Sequence, residues 1–538
     1  MHEFAAELVA LDPVAARAVG VLDPVTGSPS LQLPATDAEH FAALEAALLA
    51  RCARVESSPG SLTWLEERCI QAEVAVRLHE LRVARPWERA PYWYAEVLGD
   101  ALTSVNQDRL HEEDHAQLYL DLLEQSVGFL AQGQRNLVAA HVPSRWAEIA
   151  ESALRGLRGL VAGDLSLLSE RLPAFLVAEA DRRREVLLIA IDDFTTHCQG
   201  LITDGVGEWV VGEETFSGLL RDYHCLDLTA EQVWEHGWAS VDAAQVDLVK
   251  LAAVLDPDRS WQEQIESLKA ERTPADQFLA AYRAEVDTSL QLTLGHDLLT
   301  VPDDQSCVVL PLPEFRRAGL PLGEMRTVPP YATELESQFL ITSADPDAPP
   351  EQVAGHERDN CPAFIRSIVG HETYPGHHLQ SVHHVLGTPE ESFLRFFRTP
   401  LFVEGWGLYV EDILEERVFG ASNQALFARR NRLWRSLRLV IDTGMHTGRL
   451  TYEQAVDLLM DRTGMDPHMA RGEVDRYTRH DNPTYPSTYV LGRDIFQRLH
   501  ALLAGRVPGG EGRLHDLLLS HGSPPVALLE AVLLEELS

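Results

Sequence analysis

Residues 371–378 read HETYPGHH, which predicts a metal-binding segment. It departs from the zinc-binding pattern HExxH by two extra residues before the next histidine. In an undisturbed helix, His371 and His377 would be about 600° apart in rotation and would lie on different faces. Pro375 and Gly376 lie at the insertion, where proline removes a backbone donor and glycine tolerates unusual dihedral angles. The stretch predicts a helix with a bulge that brings two histidines together.

His378 is the geometric competitor of His377. It would share a helix face with His371, but about 10 Å along the axis. That separation is too large for two ligands at about 2.1 Å from one ion. The alternative interpretation is a surface histidine cluster that also includes His383 and His384. The residues alone leave both interpretations open.

A glutamate enters an apolar helical segment a short distance downstream. Residues 403–411 read VEGWGLYVE, and Glu404 follows His377 by enough residues for a second helix to return alongside the first. A buried carboxylate is costly unless a cation accompanies it. Two histidines and a glutamate from a second helix form the ligand set of a zinc hydrolase, which keeps one position open for water. Pairing of Glu404 with an arginine is the alternative.

A formal HExxH motif also occurs at residues 111–115, which read HEEDH. Glu113 and Asp114 make this stretch polar on all sides, whereas a buried catalytic helix usually carries uncharged residues at these positions. We interpret it as the solvated start of a helix, because short motifs often occur by chance.

Apolar residues recur at helical spacing along most of the 538 residues. Breaks such as Ser57–Ser61 and Asp256–Ser260 indicate ordinary helix connections. Two short apolar runs, Cys307–Leu312 and Gln338–Thr342, predict strands, the second of them an edge strand suited to adding an extended peptide. The prediction is a mainly α chain with a small β insertion before the metal-binding helix.

The overall charge excludes several classes of partner. There are 45 basic and 82 acidic residues, giving a net charge of −37 without a strong basic patch, which argues against nucleic acid and anionic membranes. Six scattered cysteines form no CxxC pair, and no apolar run approaches the roughly 20 residues of a membrane span. The acidic N-terminus lacks a signal-peptide pattern. We therefore expect a cytoplasmic protein.

Four blocks in this order resemble the DUF885 family of bacterial proteins. They are HETYPGHHLQ (371–380), EGWGLYVE (404–411), RLVIDTGMH (438–446), and Arg476-Tyr477 followed by Tyr489 and Gly492. The family is similar to the gluzincin peptidases, including oligopeptidases and thermostable carboxypeptidases. The resemblance implies a zincin-like helical domain over residues 1–538, with a helical part to about residue 300 and a catalytic part from about 301.

The resemblance also implies a ligand set and a mechanism. Gly376-His377 aligns with the end of the gluzincin motif, so one Zn²⁺ ion is expected on His371, His377 and Glu404. Glu372 would act as the general base on a bound water. Tyr489 would stabilise the oxyanion, with Tyr477 and Tyr485 as rivals.

Further residues of the blocks receive supporting roles. Asp442 would orient a metal-bound histidine, and His446 would stabilise the transition state. The alternative for Asp442 is a helix pair with Arg438. Arg476 and Arg493 would bind a substrate carboxylate, which favours exopeptidase action. His378 completes the predicted surroundings of the metal.

The chain departs from the family at Pro483-Thr484-Tyr485, where members tend to carry Pro-Gly-Gln. Many members are secreted lipoproteins, whereas this N-terminus lacks such a leader. The leading hypothesis is a zinc peptidase acting on small or extended peptides. The alternatives are a metal-dependent hydrolase of another amide or ester, and a non-catalytic helical scaffold with a structural metal cluster.

Overall fold

The computed structural model describes residues 1–22, 29–52, 55–313, 316, 320, 322–344 and 348–538. Within them the chain is mainly α-helical with one small sheet, which confirms the predicted class. None of the helices in this part of the chain has both the length and the apolar character to cross a membrane. All six cysteines are free thiols.

The N-terminal half of the chain is helical. Its helices are α1 (Glu3–Leu11), α2 (Pro13–Ala18), α3 (Ala38–Ala50), α4 (Leu62–His79), α5 (Pro86–Arg89), α6 (Pro91–Thr103), α7 (Glu113–Asn136), α8 (Ser144–Ala162), α9 (Asp164–Leu167), α10 (Val177–Asp204), α11 (Glu213–Asp222), α12 (Ala230–Leu255), α13 (Trp261–Lys269) and α14 (Phe278–Gly295). The breaks expected before α4 and α13 are confirmed. Ser61 and Ser260 cap these helices, each accepting a hydrogen bond from a backbone amide of the first turn.

A three-stranded sheet follows, formed by β1 (Gln305–Pro311), β2 (Gly323–Arg326) and β3 (Leu335–Ile341). β3 lies in the middle, parallel to β1 and antiparallel to β2. Both predicted strands exist, but β2 was missed because four residues reading GEMR carry no alternating apolar pattern.

The prediction that Gln338–Thr342 forms an edge strand is wrong. Gln338 pairs with Val308 of β1 on one side and with Arg326 of β2 on the other. Since both sides of β3 are already hydrogen-bonded, it has no free edge to which a peptide could add.

The C-terminal part of the chain returns to helices. They are α15 (Pro350–Asp359), α16 (Pro362–Glu372), α17 (His377–Gly387), α18 (Phe393–Phe396), α19 (Pro400–Leu414), α20 (Asn423–His446), α21 (Tyr452–Thr463), α22 (Pro467–Thr478), α23 (Tyr485–Leu503), α24 (Glu511–Leu518) and α25 (Leu529–Glu536). Short 3₁₀ turns lie at Gln107–Arg109, Leu168–Arg171, Ala275–Gln277 and Val526–Leu528, and π-helical turns at Glu80–Ala84 and Glu415–Phe419.

The packing shows where the chain divides. Helices α6, α7, α8 and α10 share an apolar core drawn from residues 87–201. A larger core extends from Phe216 to Leu533 and includes the sheet, α14, α16, α19 and α23. The expected division near residue 300 therefore falls inside the larger core. Helices α11, α12 and α14 belong with the part that carries the proposed chemistry.

Candidate metal centre

The stretch at residues 371–378 forms two helices rather than one bulged helix. α16 ends at Glu372 and α17 begins at His377. Gly376 at the junction faces the His371 carbonyl so closely that any Cβ there would collide with it. The Trp406 indole donates a hydrogen bond to the Pro375 carbonyl at 3.0 Å and ties the junction to α19. As a result the rings of His371 and His377 lie edge to face, with centroids 4.6 Å apart.

Glu404 on α19 completes a buried cluster with these two histidines. Its Oε2 lies 3.6 Å from His371 Nε2 and 3.4 Å from His377 Nε2. Burial opposes ionisation of Glu404, but the two imidazoles outweigh it and hold the pKa of the carboxyl well below its usual value. Gly407 lies one turn further along, where a Cβ would come 2.6 Å from the His371 ring. The two histidines therefore pack directly against this glycine.

Glu411 is the residue that sequence reasoning missed. His371 Nδ1 lies 2.8 Å from Glu411 Oε1, whereas its Nε2 is the ring nitrogen that lies near Glu404. Burial lowers the pKa of His371, yet the neighbouring carboxylates of Glu404 and Glu411 outweigh it and raise the value to about 9. The sequence carries a signal for Glu411. It follows Glu404 by seven residues, and residues seven apart lie on the same face of a helix.

The cluster fits a divalent metal ion. One ligand atom from each of His371, His377 and Glu404 lies within 4.8 Å of the other two. Glu404 Oε2 is buried and has no hydrogen-bond partner in the part of the chain that the structure describes. An orphaned carboxylate oxygen is costly in a protein interior, and a cation removes that cost. Two imidazoles and a carboxylate suit zinc.

A narrow cleft of about 80 Å³ opens beside the cluster. It is lined by Tyr282, Leu320, Leu322, Gly323, Phe339, Ile368, His371, Glu372, Trp434, Arg435, Arg438, Gly472, Glu473, Arg476 and Tyr489. Glu372 is half-buried there, and no hydrogen bond from the described residues engages its carboxylate. The Tyr489 ring stacks against His371 at 6.3 Å. Burial raises the pKa of Tyr489, as does Glu404, so its phenol stays a proton donor.

The two rival tyrosines are already hydrogen-bonded. The Tyr485 hydroxyl donates to Glu404 Oε1, and the Tyr477 hydroxyl donates to Glu473 Oε2 at 2.6 Å. Thr484, which precedes Tyr485, has a φ of 74°, in the left-handed region that favours glycine. This conformation suits the glycine that the family resemblance led us to expect at this position.

His378 lies outside the cluster. Its Nε2 donates to Gln305 at 2.6 Å, and the Ser337 hydroxyl donates to its Nδ1 at 2.8 Å. Burial lowers the pKa of His378 to about 4. It therefore connects α17 to β1 and β3 as a neutral side chain.

The predictions for Asp442 and His446 do not agree with their contacts. Asp442 accepts hydrogen bonds from the backbone and hydroxyl groups of Ser487, and His446 Nε2 donates to the Tyr477 carbonyl at 3.1 Å. Neither residue contacts the cluster within the described part of the chain. Glu411, rather than Asp442, is the carboxylate that lies against His371 Nδ1.

The predicted arginines divide into two groups. Arg438 pairs with Glu473 at 2.9 Å rather than with Asp442, and it lines the cleft together with Arg476. Arg493 instead binds Asp494 at 2.6 Å and lies outside the cleft lining. Of the two arginines expected to bind a substrate carboxylate, only Arg476 is in place for it.

Asp442 gives a pH-dependent prediction. Burial raises its pKa to about 8, whereas an aspartate in an unfolded chain titrates near about 3.9. Between these values the folded chain binds the extra proton, so wild-type stability falls as the pH rises. Asparagine cannot ionise. The free energy of unfolding of Asp442→Asn should therefore rise relative to that of wild type by up to about 1.4 kcal/mol for each pH unit between 4 and 8. Urea unfolding at pH 5, 6.5 and 8 measures this difference.

Asp457→Asn is the matched control, since Asp457 is exposed on α21. Its stability difference from wild type should stay small at all three pH values. A difference for Asp442→Asn that does not grow with pH would contradict the assignment of a buried, neutral carboxyl.

The other groups of histidines are weaker candidates for a metal site than the cluster of His371, His377 and Glu404. His111 is exposed just before α7 and His115 is buried on it, while Glu112 pairs with Arg109 at 2.8 Å. The stretch is thus the start of a helix, as interpreted.

His500, Glu511 and His515 also lie close enough to share an ion. However, His515 Nδ1 bonds to the Leu298 carbonyl at 2.5 Å and its Nε2 to the Tyr409 hydroxyl at 2.8 Å. Both ring nitrogens are therefore engaged. This group is a hydrogen-bonded network rather than an open ligand set.

The fold and the cluster define a large helical protein with a buried candidate metal centre. The chain belongs to the DUF885 family, described as bacterial proteins of unknown function, which matches residues 13–533. No functionally curated protein matches it.

Two solved structures share the fold. One is a protein of unknown function from Shewanella oneidensis described as a candidate lipoprotein, with 18% identity, a TM-score of 0.76, and coverage of 99% of this chain and 98% of that one. The other is a candidate lipoprotein from Colwellia psychrerythraea, with 15% identity, a TM-score of 0.76, and coverage of 99% of each chain. At these identities the likeness establishes the fold alone.

Proposed function

We propose that this protein is a zinc-dependent hydrolase that cleaves peptide bonds in small or extended peptides. One observation carries the proposal: His371, His377 and Glu404 converge on an orphaned carboxylate oxygen beside a cleft that contains Glu372 and Tyr489. Two histidines and a glutamate are the donor set of the gluzincin peptidases that the sequence resembles, and a zincin-like catalytic fold is part of the proposal.

The protein's own side chains divide the proton transfers. When bound, Zn²⁺ polarises the scissile carbonyl and lowers the pKa of a water molecule. Glu372, whose carboxylate has no hydrogen-bond partner among the described residues, would accept a proton from a water in the cleft and later deliver it to the leaving amine. Tyr489 donates its hydroxyl proton in a hydrogen bond to the developing oxyanion, because its rivals Tyr477 and Tyr485 are already engaged. Glu411 keeps His371 in the required tautomer.

A non-catalytic scaffold with a structural metal cluster fits the cleft less well than a hydrolase does. A purely structural zinc site is closed by four protein ligands, whereas this cluster offers three and adjoins a cleft with an unengaged carboxylate. A hydrolase of another amide or ester would use the same residues, and its distinction from a peptidase rests on substrate alone.

The remaining expectations of the sequence stay predictions. They are a cytoplasmic location, a small peptide as the partner, and no binding to nucleic acid or membranes. The basis of the last of these is the net charge of −37. The description as candidate lipoproteins belongs to the two proteins that share the fold.

Metal analysis tests the proposal. The purified protein should carry about one zinc per chain, and His371→Ala should lose it together with turnover of a peptide mixture. Because a ligand that binds only the folded state stabilises it, zinc at 100 times its Kd should add about 2.7 kcal/mol to wild-type stability. In His371→Ala that gain should disappear.

His111→Ala is the control for this experiment, because it removes an exposed histidine from the other HExxH motif. It should bind zinc and melt like wild type. Wild-type protein that binds no divalent metal, and whose melting temperature is unchanged by chelation, would leave the proposal without its cofactor.

A further inference from the structure

Three arginines line the cleft next to the cluster. Arg435 and Arg438 lie one turn apart on α20, and Arg476 comes from α22. Arg435 and Arg438 are 5% and 3% exposed, so water satisfies little of their hydrogen-bonding capacity. Guanidinium groups rarely gather in a protein interior without an anionic partner.

The carboxylates near the three arginines leave some of the guanidinium N–H donors without a hydrogen bond. Glu473 binds Arg438 at 2.9 Å, and Glu411, already bonded to His371, lies 3.7 Å from Arg435. The Nε atoms of both arginines are buried without a hydrogen-bond partner among the described residues. Within the same part of the chain, Arg476 has no carboxylate within 4.0 Å.

Aromatic rings hold two of the guanidinium groups in place. The Arg438 Cζ lies 4.7 Å from the Trp434 ring and 4.6 Å from the Tyr489 ring, and the Arg435 Cζ lies 4.6 Å and 5.2 Å from the same two rings. Such stacking limits the motion of the side chains and directs their planar forks. The arrangement is that of a site prepared for a planar anion.

We propose that Arg435, Arg438 and Arg476 bind the C-terminal carboxylate of the substrate, so that the protein removes residues from the free C-terminus of short peptides. This inference rests on the proposed hydrolytic function and specifies its substrate. Guanidinium forks match carboxylate geometry with two parallel hydrogen bonds.

The distance from the arginines to the cluster sets how many residues are cleaved from the C-terminus of the peptide. The Tyr489 ring lies 6.3 Å from the His371 ring and 4.6 Å from the Arg438 guanidinium carbon. An extended chain advances about 3.3–3.6 Å per residue. A carboxylate held by Arg438 therefore reaches the cluster across at most about three residues, and the products are single residues or very short peptides.

The test compares unrelated peptides of four to eight residues, each with a free C-terminus and as the C-terminal amide. We expect the zinc-loaded wild type to cleave the free acids with a kcat/KM about 100-fold higher or more. The ratio of acid to amide should fall about 10- to 100-fold in Arg476→Gln, mainly through KM. Arg471→Gln, which removes an exposed arginine of the same helix, should keep the wild-type ratio.

The possible results of this comparison distinguish failure of the C-terminal assignment from failure of the proposed hydrolytic function. Equal cleavage of acids and amides would overturn the C-terminal assignment while leaving the proposed hydrolytic function standing. Amides that are cleaved only when they end in glutamate would assign the arginines to an acidic side chain and would also overturn it. Failure to cleave either series with zinc bound would remove the proposed function, and this inference with it. The comparison on wild type needs no variant, so misfolding of Arg476→Gln would not prevent a decision.

Discussion

Gly492→Ala is expected to destabilise the folded protein by about 3 kcal/mol or more and to abolish activity. Helices α19 and α23 make the most extensive contact between any two helices in the described part of the chain. They cross where Gly492 meets Gly405, and a Cβ on Gly492 would lie 2.7 Å from the Gly405 Cα and closer still to the Leu401 carbonyl. Both obstructing atoms belong to the backbone of α19, so only separation of the two helices makes room for the new methyl group.

The separation would also disturb the site, because α19 carries Glu404 and α23 carries Tyr489. Chemical unfolding and thermal melting measure the loss of stability. Gly128→Ala is the matched control: Gly128 lies inside α7, and a Cβ there meets nothing within 4 Å. Because alanine favours helix, that variant should be neutral or gain up to about 1 kcal/mol. Gly492→Ala melting within a degree or two of wild type would contradict the described packing.

Glu372→Gln should lower kcat by about 10²- to 10⁴-fold while zinc content and melting temperature stay at wild-type values. The amide is close to the carboxylate in size but cannot accept the proton from water. Glu372 is not one of the three clustered ligands, and no ion pair in the described residues depends on it. The proposed roles therefore predict a loss of turnover without a loss of metal.

Steady-state kinetics on a cleavable peptide, with metal analysis of the same sample, measure both effects. Glu351→Gln, an exposed exchange on α15, serves as the control and should retain full activity. If Glu372→Gln retains wild-type kcat, the general base is another group. If it loses zinc, Glu372 acts as a ligand.

The helical class and the candidate cluster were accessible from the sequence because both depend on local patterns. Helical periodicity and capping serines mark the helices. A carboxylate within an apolar segment marked Glu404, because burial without a cation is costly. The junction at Gly376 was predicted only as an irregularity. Its form as two separate helices depends on Trp406, which bonds to it from α19.

The contacts that the sequence did not reveal are long-range. Asp442 and Arg438 seemed to be neighbours because they are four residues apart on α20. Their actual partners, Ser487 and Glu473, come from other helices and are closer in space. Nothing in a one-dimensional pattern distinguishes the i+4 neighbour from a residue 35 or 45 positions away. For the same reason the sequence could not show that β3 is the central strand, since strand order depends on where β2 returns.

The two carboxylates of α19 require a fixed number of residues between them. Glu404 and Glu411 both reach His371, two turns apart, with Gly407 between them. Each residue of an α-helix adds about 100° of rotation and 1.5 Å of rise. One inserted or deleted residue between the glutamates would turn one of them away from the histidine, whatever its identity. We therefore expect this segment to accept exchanges at constant length but not insertions, which are tolerated far better in surface loops.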